Sequence, residues 1–200
     1  MTMALRETFF LLAHRPSGRP RLQNFVLEAG LAAATLMELR RLGTLEVTDD
    51  GYVAVRSLSS TGDPLLDRLL RQLVNGPPRP PHEVLPACGG DVKQSVRAAL
   101  AAHGHCHLGP AGDVLAVAPA DRRDDARDAV QHDVRAGAAS DLGALLWATE
   151  LSGHVLGAAA LVTRLRLGRR SAADPIALAI RQAVPFPAGA MFLHGNHSTF

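Results

Sequence analysis

One segment constrains this chain more than any other. Residues 22–42, LQNFVLEAGLAAATLMELRRL, place Leu22, Phe25, Val26, Ala29, Ala33, Leu36 and Met37 on one face at helical spacing. Its middle is apolar all round, so the helix needs protein on every side and belongs at the centre of the fold. Gly43 follows directly, where a helix C-cap glycine is expected. The other segments then have to wrap around this helix, and 200 residues suffice for one domain with a sizeable core. Aromatic residues make up only 4%, so that core is built mainly from Leu, Val and Ala.

The remaining signals are short helices and tight turns. Residues 4–13 read as an apolar helix, and HRPSGRP after it as a loop. TLEVTDDGYVAV alternates around Asp50-Gly51, a hairpin signal. In SSTGDPLLDRLL, Asp63 suits a helix N-cap and Pro64 the first helical position, while Leu65, Leu66, Leu69, Leu70 and Leu73 form an apolar stripe. NGPPRPP, residues 75–81, cannot be helix interior. A helix over 91–103 carries Val92, Val96 and Leu100, closes at Gly104, and leads into a second hairpin over 105–117. Gly43, Gly51, Val53 and Leu39 recur 61 residues later as Gly104, Gly112, Val114 and Leu100. A helix, a glycine and a hairpin are thus used twice; two copies do not make a solenoid.

Residues 121–135 mix Asp and Arg as a solvated helix face does. Two apolar helices are expected at 141–151 and 154–166, separated by Gly153. A basic loop is expected from Gly168, then a last helix at 175–184 behind Pro175. The fold class is mainly α: a single helical domain around a central helix bundle with two small β-hairpins, spanning 1–184. Residues 185–200 are expected to be a loosely ordered tail.

Composition narrows the function classes. The formal charge of +2 argues against a dedicated nucleic-acid binder. Lys93 is the only lysine among 21 basic residues, and arginine with abundant alanine is the composition expected of a GC-rich bacterial genome. Two cysteines, Cys88 and Cys106, make no disulfide framework, and MTMALRETFF lacks a basic n-region, so a cytoplasmic location is expected. The longest apolar region, 142–162, is interrupted by Glu150, Ser152, Gly153 and His154, and reads as buried helices rather than a bilayer span.

Motifs for chemistry are weak. Thr61-Gly62 could offer backbone donors to an anion, but the glycines and Lys-Ser/Thr pair of a P-loop are missing. His103, His105, Cys106 and His107 crowd five residues, yet zinc sites usually draw paired ligands from two segments, and Cys88 is the one further candidate. No Gly-x-Ser-x-Gly elbow or Cys/His signature indicates an enzyme, and no metal or other cofactor is called for. The helix and hairpin over 36–55 mimic a winged helix, but basic residues appear only at its end, as Arg40 and Arg41. Arginine clusters at 15, 19 and 21, at 40 and 41, and at 164, 166, 169 and 170 could together attract anionic lipid.

The order of these pieces resembles the Golgi phosphoprotein 3 family in its shorter bacterial form, over about residues 4–184. LRETFFLLAHRPSGR resembles the family's opening helix and loop. Gly30, Leu31, Glu38, Leu39, Gly43 and Leu45 match its central helix, and TGDPLLDRLL its Thr-Gly-Asp-x-Leu-Leu-Asp signature. The resemblance implies a peripheral membrane protein that binds phosphatidylinositol 4-phosphate or other anionic phospholipid headgroups at a basic pocket. It also implies a protruding hairpin, here 105–117, for membrane contact or self-association. Of four pocket positions in the family's eukaryotic members, three carry Gln23, Ala32 and Gly90 here, and the fourth keeps its charge as Lys93. Lys93, with Arg97 one turn later, is the expected headgroup-binding pair. The expected protein is non-enzymatic, cytoplasmic and peripherally membrane-associated, binds no nucleic acid, and can form a homo-oligomer through the hairpin. The alternatives are a soluble protein-interaction scaffold that has lost lipid binding, and a winged-helix DNA-binding regulator.

Overall fold

The computed structural model describes residues 3–110, 114–117, 120–136, 140–156 and 161–184. The expected tail at 185–200 lies outside them, as does Gly112 of the 61-residue echo. The elements run α1 (Leu5–Leu12), α2 (Asn24–Arg41), β1 (Leu45–Val47), β2 (Val53–Val55), α3 (Pro64–Asn75), α4 (Pro81–Ala102), β3 (Cys106–Leu108), β4 (Val114–Val117), α5 (Ala120–Ala136), α6 (Asp141–Ala148), α7 (Ser152–Leu156), α8 (Leu161–Ser171) and α9 (Pro175–Ala183). The protein is mainly α-helical with two antiparallel two-stranded hairpins, as the sequence leads one to expect.

α2 is the central helix. Leu31, Ala32, Ala33, Ala34, Leu36, Met37 and Leu39 are fully buried, and α1, α4, α6 and α9 all contact it. Its alanines and Gly30 let neighbours come close: a Cβ on Gly30 would lie 2.5 Å from Phe9 Cζ. Burial on all sides leaves α2 no face to offer a DNA groove, which removes the winged-helix reading of this segment. Phe25, expected on the buried face, is 44% exposed, while its neighbours Val26 and Leu27 are buried.

α2 and α4 end in the same way. Gly43 (φ +69°) and Gly104 (φ +71°) adopt the left-handed conformation. Around them Thr44 N–H donates to Leu39 O and His105 N–H to Leu100 O, while Gly43 and Gly104 donate to Arg40 O and Ala101 O. These are paired Schellman caps, each turning its chain into a hairpin. The echo seen in sequence is therefore a repeated helix stop. In β1–β2 Leu45 pairs with Val55 and Val47 with Val53; in β3–β4 Cys106 pairs with Val117 and Leu108 with Val114.

Three expected boundaries move. α4 begins at Pro81, ten residues before the expected start. Pro86 lies on its exposed side, where water can take the carbonyl that the missing N–H leaves open, and Val84, Leu85 and Cys88 extend the buried stripe of Val92, Val96 and Leu100. Between α6 and α7 the break falls at 149–151, with Glu150 at φ +59°, and Gly153 is inside α7. Gly168 is inside α8 rather than in a basic loop, and a Cβ there would lie 2.9 Å from Trp147 Nε1.

The Thr-Gly-Asp signature is a self-contained helix start. Asp63 Oδ1 accepts from Leu65 N–H (2.8 Å) and Leu66 N–H (3.3 Å). Asp67 reaches back and accepts from Thr61 N–H (2.8 Å), the Thr61 hydroxyl (2.7 Å) and the Ser60 hydroxyl (2.9 Å). Those bonds, the Thr61 N–H first, hold the Asp67 carboxyl below its usual range. Gly62 and Asp63 N–H groups bond the Ser60 and Thr61 hydroxyls. The Thr61, Gly62 and Asp63 N–H groups are thus used internally rather than offered to a phosphate.

Candidate functional site

Lys93 owes its position to the α2–α4 crossing. Gly89 lies against α2 so closely that a Cβ would come 2.9 Å from both Glu28 Cβ and Glu28 O. One turn on, Lys93 Nζ therefore meets the first turns of α2. It donates to Glu28 Oε1 at 2.6 Å and to Asn24 Oδ1, and Asn24 Nδ2 donates to the same Glu28 oxygen at 2.8 Å. The lysine charge is matched by a carboxylate, with both side chains about a quarter exposed. Sequence reasoning found Lys93 but not its partners; Asn24 and Glu28 are visible as an i, i+4 pair, while nothing in the chain announces a contact 65 residues away.

Arg97 is half-buried one turn beyond Lys93 and has no carboxylate within ion-pair reach among the described residues. Its carbonyl accepts from Cys106 Sγ (3.8 Å), which ties β3 to α4. The 14–20 loop borders the same region. Arg15 N–H bonds Arg19 O (2.8 Å), Gly18 N–H bonds Arg15 O (3.0 Å), and His14 bridges Pro20, so the loop is a tight turn with Arg15 and Arg19 exposed. Val117 N–H donates to Pro16 O, joining this loop to the second hairpin. The 14–20 loop and α4 thus both reach the second hairpin, the loop through Pro16 O and α4 through Arg97 O, and Leu108 on β3 is exposed.

The other arginine clusters are used differently. Arg40 pairs with Asp141 (3.2 Å) and Asp174 (2.7 Å), and Arg41 with Asp141 (2.5 Å). Asp174 is the N-cap of α9 and Asp141 opens α6, so these arginines lock the end of α2 to two helix starts. Arg166 and Arg169 are exposed on α8; the side chains of Arg164 and Arg170 lie outside the described residues.

His14 is buried, stacked on Phe10 at 4.1 Å, with its Nδ1 2.8 Å from Phe10 O. Burial pushes its pKa below the ordinary 6.5; the Phe10 carbonyl opposes this and the nearby Lys93 charge adds to it. The folded protein therefore holds fewer protons at this site than the unfolded chain does. That contribution to stability is full above pH 6.5 and is lost as pH falls through the folded pKa. Thermal midpoints should fall between pH 7.5 and 5.5 in the wild type, and fall less in His14→Gln; equal slopes would exclude His14 as the cause.

Neither cysteine is poised for reaction or for metal. Burial pushes the Cys88 thiol up to about 11, and its Sγ donates to Val84 O; burial raises Cys106 as well. Among the described residues no three His, Cys, Asp or Glu side chains converge as metal ligands do, and His103 and His105 meet ring edge to ring, with centroids 6.2 Å apart. No described helix is long and apolar enough to cross a membrane.

A helical bundle with a buried central helix, two capped hairpins and a basic region beside the second hairpin defines the class of protein. The chain belongs to the Golgi phosphoprotein 3 (GPP34) family, whose profile matches residues 5–185. A comparison with curated proteins found no significant match.

Proposed function

We propose that this protein is a non-enzymatic, peripheral membrane protein that docks on anionic phospholipid headgroups, including phosphatidylinositol 4-phosphate-like ones. Its docking region is the 14–20 loop, Arg97 and the second hairpin. Family membership supports the reading, and one observation carries it: Arg15, Arg19 and Arg97 have no carboxylate partners among the described residues, while exposed Phe25 and Leu108 provide apolar contact. Each basic residue near an anionic bilayer contributes about 1 kcal/mol, so three such groups give weak, salt-sensitive attachment. Lys93 joins only by leaving Glu28.

Flotation with anionic vesicles tests this. Recovery is expected at low salt and is lost at high salt; no recovery at low salt ends the proposal. Glu28→Gln frees the Lys93 charge and should raise partitioning about fivefold, the equivalent of one added cation. Lys93→Glu should lower it. If neither change moves partitioning, Lys93 does not belong to the site.

A second reading is favoured by the Lys93–Glu28 pair itself. A lysine already neutralised suits a soluble interaction scaffold, self-associating through the hairpin with exposed Leu108. It entails a dimer in sedimentation that does not depend on lipid and is lost on Leu108→Asp.

A further inference from the structure

A cleft of about 420 Å³ opens between the start of α1, the first turns of α3 and the last turns of α4. We propose that it binds a phosphate monoester, held by Arg68, Arg71, Ser95 and His103. The site is separate from the docking region above and does not rest on it.

Charge is the first reason. Three guanidinium groups line the cleft, those of Arg6, Arg68 and Arg71, against two carboxylates, Glu7 and Asp63. Asp63 is neutralised by Arg6, while Glu7 keeps its charge and is held at the start of α1. Asp63 accepts from Arg6 and from two α3 N–H groups, and Glu7 accepts from the Ala4 N–H that opens α1. Arg6 is spent on Asp63 and Glu38. Arg68 and Arg71, by contrast, have no carboxylate within ion-pair distance among the described residues, Asp67 interacting with Arg71 only at longer range, and Arg68 donates to the Ser95 hydroxyl at 2.9 Å.

Arrangement is the second reason. Arg68 and Arg71 stand three residues apart on α3, so their side chains leave the helix as neighbours. Ser95 on α4 and His103, the C-cap of α4 eight residues on, lie on the opposite wall. An anion that displaces the Arg68–Ser95 bond would find donors on both walls, from Arg68 and Arg71 on one side and Ser95 and His103 on the other. A carboxylate is planar and is satisfied by one guanidinium fork, whereas a phosphate monoester offers three terminal oxygens to non-coplanar donors. Val96 and Leu65 line the cleft as well, which leaves apolar surface for the organic part of a small phosphorylated molecule.

The source of the phosphate is either a soluble metabolite or a lipid headgroup, and titration with flotation separates them. The full chain is titrated calorimetrically with inorganic phosphate and with glycerol 3-phosphate, in a buffer free of phosphate. Saturable binding of at least one probe is expected. It should weaken about tenfold or more in Arg68→Gln/Arg71→Gln, since each lost charge-assisted hydrogen bond is worth a comparable factor. Both arginines are exposed, so the thermal midpoint should hold, and His103→Ala gives an independent reading of the same wall. Flotation with phosphatidic acid vesicles assigns a lipid source if the double variant loses recovery, and a soluble source if it does not. Arg15→Glu/Arg19→Glu should leave the titration unchanged, which keeps this result distinct from membrane docking. No saturable binding of either probe, or unchanged binding in the double variant, would overturn the proposal.

Discussion

Arg6→Met is expected to destabilise the fold by about 3 kcal/mol or more, the cost of leaving a buried carboxylate without its partner. Arg6 is an almost fully buried guanidinium on α1 that bridges Glu38 on α2 and Asp63 at the start of α3. Its backbone N–H also donates to Glu38 Oε1 at 3.0 Å. One side chain thus ties three elements together, and Asp63 is the α3 cap as well. Burial already raises the Glu38 pKa, with Arg6 the main opposing influence. Without Arg6 the burial is unopposed. A carboxyl whose folded pKa is raised stabilises the protein below its unfolded pKa, and that contribution is lost as pH rises through the folded pKa. The Arg6→Met deficit should therefore be largest at neutral pH and shrink toward pH 4.5. Glu38→Gln in the same background should recover part of it. Chemical denaturation of the single and double variants at two pH values measures this; a deficit under 1 kcal/mol, or one independent of pH, would contradict the assignment.

Two adjacent glycines should respond with opposite signs. Gly89→Ala puts a methyl group against the backbone of Glu28, which cannot swing away as a side-chain tip can. The helices must part, at a cost of about 1–3 kcal/mol. Gly90→Ala meets nothing within 4 Å on the exposed side of the same helix. It should stabilise by about 0.5–1 kcal/mol, the ordinary gain of alanine over glycine in a helix. Gly89→Ala should also loosen Lys93 from Glu28, because the crossing sets their separation. Equal effects at the two positions would mean that α2 and α4 do not cross at Gly89.

Local chemistry was readable from the chain. Asp63, Pro64, Gly43, Gly104 and Pro175 each have a strong conformational preference, and each stands where that preference predicts. The burial of α2 followed from its apolar circumference. The missed features are those whose cause lies in another element. The helix expected from residue 91 in fact starts at Pro81 and runs through Pro86, Gly89 and Gly90, because Gly89 lets α2 pass against it and the buried stripe of α4 carries the helix through. Gly168 read as loop for the same reason, with Trp147 as the unseen neighbour. At the candidate site Lys93 and Arg97 were legible as cations, but the Glu28 contact that neutralises one and spares the other was not. Likewise Arg40 and Arg41 read as free charge until Asp141 and Asp174 met them.

That difference between spent and available arginines is the centre of the functional account, and charge reversal tests it most directly. Arg15→Glu/Arg19→Glu and Arg41→Glu would be compared with the wild type by flotation on anionic vesicles at low salt, after circular dichroism shows that each variant is folded. The account expects the 15/19 pair to lose vesicle recovery almost entirely, since each reversal removes a cation and adds an anion, and Arg41→Glu to retain most of it. Undiminished recovery of the 15/19 variant, or an equal loss in Arg41→Glu, would contradict the claim that the 14–20 loop faces the membrane.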